Sequence, residues 1–169
     1  MSAFRIIPGV LCVSLAATAG GFAAAPQSQM PMDMTMHHDA AISFGKPGRA
    51  DDVTRTVSII LGNMDFTPNA IEVKRGEVIR FVLKNTSALD HDFTLGDAAT
   101  QAAHRVEMTN AAQSGHMMHH HGDGNAIDVK AGETRELIWA FSEAMTLEFD
   151  CDIPGHYESG MRGTIAVVP

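Results

Sequence analysis

Cysteine is nearly missing from this chain: 169 residues hold two, Cys12 and Cys151. Cys12 falls inside residues 1–25, MSAFRIIPGVLCVSLAATAGGFAAA, where one charge (Arg5), an apolar run and then small residues form the pattern of a secretory signal peptide. The run is broken by Pro8 and is short for a membrane span, so it reads as a leader that is removed, with the cut a residue or two before Ala25, for example after Ala23. Leu11 ahead of Cys12 argues against a lipoprotein cysteine. The exported chain then keeps Cys151 alone, which excludes an internal disulfide. In an oxidising compartment a lone thiol is a liability unless something occupies it, and a metal would do so; a buried, inert cysteine is the plainer alternative. Basic residues are also in deficit, 12 against 20 acidic ones for a net charge of −8, which argues against nucleic acid as a partner. There is no internal repeat, and the length suits one domain with a leader and a tail.

What is present divides by texture. Residues 26–52 are poor in branched apolar residues and rich in Met, Ala, Pro, Gly and Asp, and are expected to form a flexible tail. From Val53 short β-type runs follow: 53–61, 70–85 with a turn at Arg75 and Gly76, 91–96, 126–141 with a break at Ala131 and Gly132, 146–151 and 163–168. Their alternation of apolar and polar residues, spaced by Gly, Asn and Pro turns, predicts an all-β Greek-key sandwich over 53–169. An insert at 98–125 interrupts it. Good helix formers without internal Gly or Pro predict a short helix from about Ala98 to Ala112, and Gly115, Gly122 and Gly124 bracket an exposed loop after it.

The chemistry gathers in FDCDIPGHYESGMRGTIAV, residues 149–167, where Cys151, His156 and Met161 are spaced C-x4-H-x4-M and Pro154 and Gly155 turn the chain. Thiolate, imidazole and thioether together suit a soft, redox-active metal better than hydrolysis, and two histidines, a cysteine and a distant axial methionine are the donor set of a blue-copper-type site. The missing donor should be a histidine well upstream. His91 fits, since it opens HDFTLG directly after the strand EVIRFVLKN and the loop TSALD. Alone, His91 could be a strand-end surface histidine and Met161 a core residue.

FVLKNTSALDHDFTLG followed by FDCDIPGHYESGMRGTIAV resembles the cupredoxins, the plastocyanin, azurin and auracyanin relatives. More narrowly it is similar to periplasmic copper-tolerance cupredoxins with Met- and His-rich segments. The resemblance covers roughly 53–169 and implies a cupredoxin-like sandwich, His91, Cys151, His156 and Met161 as ligands of one type 1 copper, and one-electron transfer between Cu(I) and Cu(II). It also implies a redox partner such as a cytochrome or a copper oxidase, and a monomer with no enzymatic activity. One departure stands out: plastocyanin and azurin carry Asn after the first histidine ligand to tie its loop to the cysteine loop, and here that residue is Asp92. Other copper architectures lack their residues. A binuclear centre needs two cysteines in one loop, multicopper oxidases flank the cysteine with histidines where this chain has Asp150 and Asp152, and phytocyanins need a disulfide.

Two further segments could hold labile copper. Met30, Met32, Met34 and Met36 alternate ahead of His37 and His38, and His116, Met117, Met118, His119, His120 and His121 form a second cluster. Thioethers prefer Cu(I) and neutral imidazoles take either oxidation state, whereas tail composition and a solvated loop are the plainer explanations of each. His104, Glu107 and Met108 share a helix face but are explained as well by surface pairing. The reading that follows is a periplasmic copper-tolerance protein that binds copper and passes electrons. A dedicated respiratory or photosynthetic carrier, and a copper chaperone that transfers no electrons, are the alternatives.

Overall fold

Alternation in RTVSIIL, VIRFVLKN and RGTIAVV sends every second side chain to one face, and each becomes a strand with that face buried in the computed structural model, which describes residues 42–115 and 124–169. Among the described residues ten strands form two sheets. The first has the order β1 (Gly45–Pro47), β8 (Thr134–Phe141), β5 (Val78–Asn85), β2 (Arg55–Leu61), β3 (Phe66–Thr67). The second has the order β4 (Ala70–Lys74), β10 (Arg162–Val168), β9 (Thr146–Asp150), β6 (His91–Gly96), β7 (Ala126–Val129). Pairing is antiparallel except β2 with β5 and β4 with β10, so the chain crosses between sheets rather than running as successive hairpins. The expected all-β sandwich is present.

The core is the slab between the sheets. Ile59, Leu61, Ile79, Phe81, Leu83, Trp139 and Phe141 face Val73, Phe93, Leu95, Leu147, Phe149 and Ile165, all buried. Aromatic contacts concentrate at Phe93, which stacks on Phe149 at 5.3 Å and lies 5.6 Å from Phe81 and 6.0 Å from Phe66 between ring centroids.

Part of the tail expected over 26–52 is folded instead. Phe44 is 1 % exposed against Trp139, and Gly45–Pro47 pairs with β8, so residues 42–52 belong to the folded unit. Gly45, with φ of 155°, permits this, because a Cβ there would overlap Trp139 Nε1 and the Ala140 carbonyl. Residues 1–41, with the expected leader and the methionine series, and 116–123, with the second His/Met cluster, lie outside the described residues.

The predicted helix is α1 (Ala98–Ser114). Asp97 caps its start by accepting from the Thr100 N–H at 2.8 Å, and Gly115 in the left-handed region ends it two residues beyond the predicted stop. It packs on the outer face of the second sheet through Gln101, fully buried, whose Nε2 donates to the carbonyls of Thr94 and Glu148. That cover explains why all six residues of β6 are buried, on both faces of the strand. No helix among the described residues is long and apolar enough to cross a membrane.

Candidate metal centre

Two strand ends meet at one end of the sandwich. β6 begins with His91 and β9 stops one residue before Cys151, and the pairing of Thr94 with Asp150 brings the two chains side by side there. His91 is delivered by its preceding loop. Buried Asn85 donates to the carbonyls of Leu89 and Val129 and accepts from the Ser87 N–H at 2.9 Å, folding 86–90 over itself. Ser87 Oγ then lies 2.9 Å from His91 Nε2. With that nitrogen engaged, Nδ1 is the one free to bind a metal. Asn85 and Ser87 escaped the sequence reading, although an Asn-x-Ser run after a strand is a local turn signal.

His156 comes from the loop that follows Cys151. The His156 N–H donates to the Ile153 carbonyl at 2.9 Å, closing the turn predicted at Pro154 and Gly155; Gly155, with φ of 91°, takes the conformation the turn demands. The loop closes at its base, where Cys151 N–H donates to the Met161 carbonyl and Met161 N–H to the His156 carbonyl, both at 3.1 Å. Met161 is thereby fixed beside both other loop donors, 0 % exposed.

The donors converge as the spacing suggested. His91 Nδ1 and His156 Nδ1 are 3.2 Å apart, Cys151 Sγ is 3.2 Å from His156 Nδ1 and 3.9 Å from His91 Nδ1, and all three lie within 4.8 Å of one another. A point in the plane of these atoms sits about 2 Å from each, close to the bonds of about 2.0 Å to imidazole nitrogen and about 2.3 Å to thiolate that a first-row transition ion makes. The chemistry of the donor set fits too. Burial, and after it the Asp92 carboxylate, push the Cys151 thiol far above its usual range, so a thiolate there requires a cation beside it.

Asp92 performs the tie that its identity left open. Its Oδ1 accepts from the Asp152 N–H at 2.8 Å, and its own N–H points to Cys151 Sγ at 3.4 Å, so it links the two ligand-bearing segments in both directions. A carboxylate oxygen serves here because the partner is a backbone donor. Burial and the neighbouring Asp152 push the Asp150 carboxyl up to about 8, against the pull of the Arg105 guanidinium. His104 and Arg105 of α1 meet Asp152 and Asp150, so His104 has a buried partner and is more than a surface residue.

Burial holds both ligand histidines below their usual value of 6.5, in His91 with the added influence of His156. Both are therefore neutral at pH 7 and open to a metal. In the metal-free protein the ring resonances of His91 and His156 are expected to titrate below about 6.5 by NMR. Their contribution to stability is then present above 6.5 and lost as pH falls through the folded values, where the native state resists protons that the unfolded chain takes up. Asp150 has the opposite sign, its contribution being present at low pH and lost as pH rises through about 8. Either histidine titrating at or above 6.5 would contradict the burial argument.

Comparison with known proteins agrees with this geometry. The family model for copper binding proteins of the plastocyanin/azurin family matches residues 53–168. The copper-resistant cuproprotein CopI of Pseudomonas aeruginosa is 42 % identical over 151 residues, covering 75 % of this chain and 83 % of that protein. CopI of Rubrivivax gelatinosus is 37 % identical over 162 residues, covering 95 % of each. Among solved structures, auracyanin B superposes with a TM-score of 0.60 at 23 % identity, covering 75 % of this chain and 97 % of its own. Dithionite-reduced auracyanin from Roseiflexus castenholzii gives 0.57 at 24 %, covering 69 % and 99 %. At those identities the likeness is one of fold.

Proposed function

The chain belongs to the plastocyanin/azurin family of copper-binding proteins, and from that premise we propose that it is a periplasmic copper-tolerance protein, holding one type 1 copper and passing single electrons. The observation that carries this is the convergence of His91, Cys151 and His156 on one point, with Met161 buried beside them. In this reading His91, Cys151, His156 and Met161 would hold the ion, and bound copper would supply a one-electron couple between Cu(I) and Cu(II). The protein's part is to keep the donors in place in both states. Buried neighbours and the Asp92 tie resist rearrangement, and the small reorganisation that results favours fast exchange.

His156 is the donor nearest to solvent, half-buried where His91, Cys151 and Met161 are buried, so electrons leave most directly through its ring. The redox partner is a protein such as a cytochrome or a copper oxidase. No substrate reaction is assigned, since the site's buried donors serve the metal. The tolerance role draws on the two relatives named for copper resistance and on the methionine and histidine segments at 30–38 and 116–121, proposed to hold further labile copper.

The test is growth in excess copper of a strain lacking this protein, complemented with the wild type, with a variant lacking 30–38 and the 116–121 cluster, or with Cys151→Ser. Tolerance restored by the wild type and impaired in both variants is expected. Full tolerance with both variants would leave a dedicated electron carrier as the better reading. Absent redox cycling of the wild-type protein with a cytochrome in solution would favour a chaperone.

A further inference from the structure

Asp150 and Asp152 flank the cysteine, are buried, and are not among the proposed copper donors. Both are met from outside the loop by a single side chain. Arg105 Nη1 of α1 lies 2.8 Å from Asp150 Oδ2 and 3.6 Å from Asp152 Oδ1, and its guanidinium carbon stands 4.0 Å from the centroid of the Tyr157 ring. It therefore touches the residue before Cys151, the residue after it, and the residue after His156.

We propose that Arg105 is a positioning residue for the copper ligands, a clamp from the helical insert that fixes the Cys151 end of the loop relative to its His156 tip. The proposal rests on the reading of Cys151 and His156 as copper ligands. Its physical basis is the asymmetry of the loop's own bonds. The base is closed by the Cys151–Met161 and Met161–His156 backbone bonds, and the tip is shaped by Ser159 N–H to the Gly155 carbonyl and Gly160 N–H to the Tyr157 carbonyl. These are short-range bonds within a segment that turns at two positive-φ glycines, Gly155 and Gly160. Arg105 is the tie that reaches from α1 to both parts. A guanidinium suits the task, being planar and always charged, so that its edge donates to carboxylates while its face stacks on an aromatic ring. Arg162 assists at the tip, lying 4.9 Å from the same ring and donating to Tyr157 Oη at 3.0 Å. His104, one residue before Arg105, adds a bond to Asp152 from the same helix.

The clamp is tested first without copper, by the rate at which iodoacetamide alkylates buried Cys151 in the metal-free protein. Arg105→Gln is expected to raise that rate about tenfold or more, the loss of a charge-assisted bond expressed as easier loop opening. Because that variant takes the guanidinium away from two buried aspartates and could fail to fold, Tyr157→Leu is the companion: it spares the contacts of Arg105 with Asp150 and Asp152 and cuts only the tip, for about a fivefold rise. Arg105→Lys, which keeps the charge but lacks the fork and the planar face, should rescue only part of the Arg105→Gln effect. In the copper-loaded forms of Tyr157→Leu and Arg105→Lys, the relative intensity of the thiolate-to-copper bands should shift while far-UV circular dichroism stays unchanged. Alkylation within about twofold of wild type, with unaltered band ratios in both folded variants, would overturn the clamp. If wild type itself shows no thiolate-to-copper band, the copper reading fails, and the alkylation rates still decide whether Arg105 holds the loop.

Discussion

Replacing Cys151 by serine is expected to abolish the intense visible absorption of the protein loaded with one equivalent of Cu(II), and to turn its EPR spectrum into that of ordinary imidazole-bound copper. The band arises from charge transfer out of the thiolate, and a hydroxyl offers no comparable orbital or softness. The side chain is fully buried, and serine is slightly smaller, so the pocket is retained and Ser Oγ can accept the Asp92 N–H that now points to sulfur. Loss of the signal without loss of fold is therefore the expected pair of results, read by visible absorption, EPR and far-UV circular dichroism on matched samples. Copper affinity should fall as well, by about tenfold or more, since the anionic donor is gone and two neutral imidazoles with a buried thioether remain. A wild-type spectrum that is weak and unaffected by the substitution would place copper in the histidine clusters instead, and would remove the basis for electron transfer.

The same residue shows why the donor set could be read in advance. Cys151, His156 and Met161 lie within eleven positions of one another, so the chemistry of a single loop carries most of the signal. His91 was reachable because HDFTLG is a strand and EVIRFVLKN before it ends in a strand, which brings the intervening loop to the end of a sheet. What could not be read depends on pairings across long stretches of chain. Arg105 meets Asp150 over 45 positions from within a helix, and nothing in AATQAAHRVEMTNAA indicates which face lies on the second sheet. The pairing of Gly45–Pro47 with β8 is similar. Its composition is that of a tail, and only the contact of Phe44 with Trp139, nearly a hundred positions away, draws it into the core. Asp92 is a subtler case. The sequence reveals a departure from the family's asparagine, but only the backbone donor at Asp152 shows that an acceptor suffices.

Phe93→Ala is expected to cost about 3–5 kcal/mol of stability and to loosen the metal site at the same time. Strand periodicity makes both effects follow from one residue. Side chains two apart share a face, so on β6 the ring of Phe93 lies on the same side as His91, and on β9 the ring of Phe149 lies on the same side as Cys151 just beyond the strand. The two rings stack at 5.3 Å and so form the floor beneath the two ligands. Truncation removes the contacts with Phe66, Phe81 and Phe149 together and leaves a cavity between two packed sheets that relaxes only in part. Urea unfolding of the metal-free protein measures the first effect as a lower midpoint at unchanged slope. The second is read in the copper-loaded protein as a changed ratio of the thiolate-to-copper bands, with Phe93→Leu restoring much of both by refilling the volume. A loss below about 1 kcal/mol would mean that the sheets close over the gap, and the aromatic floor would then have no special hold on the ligands.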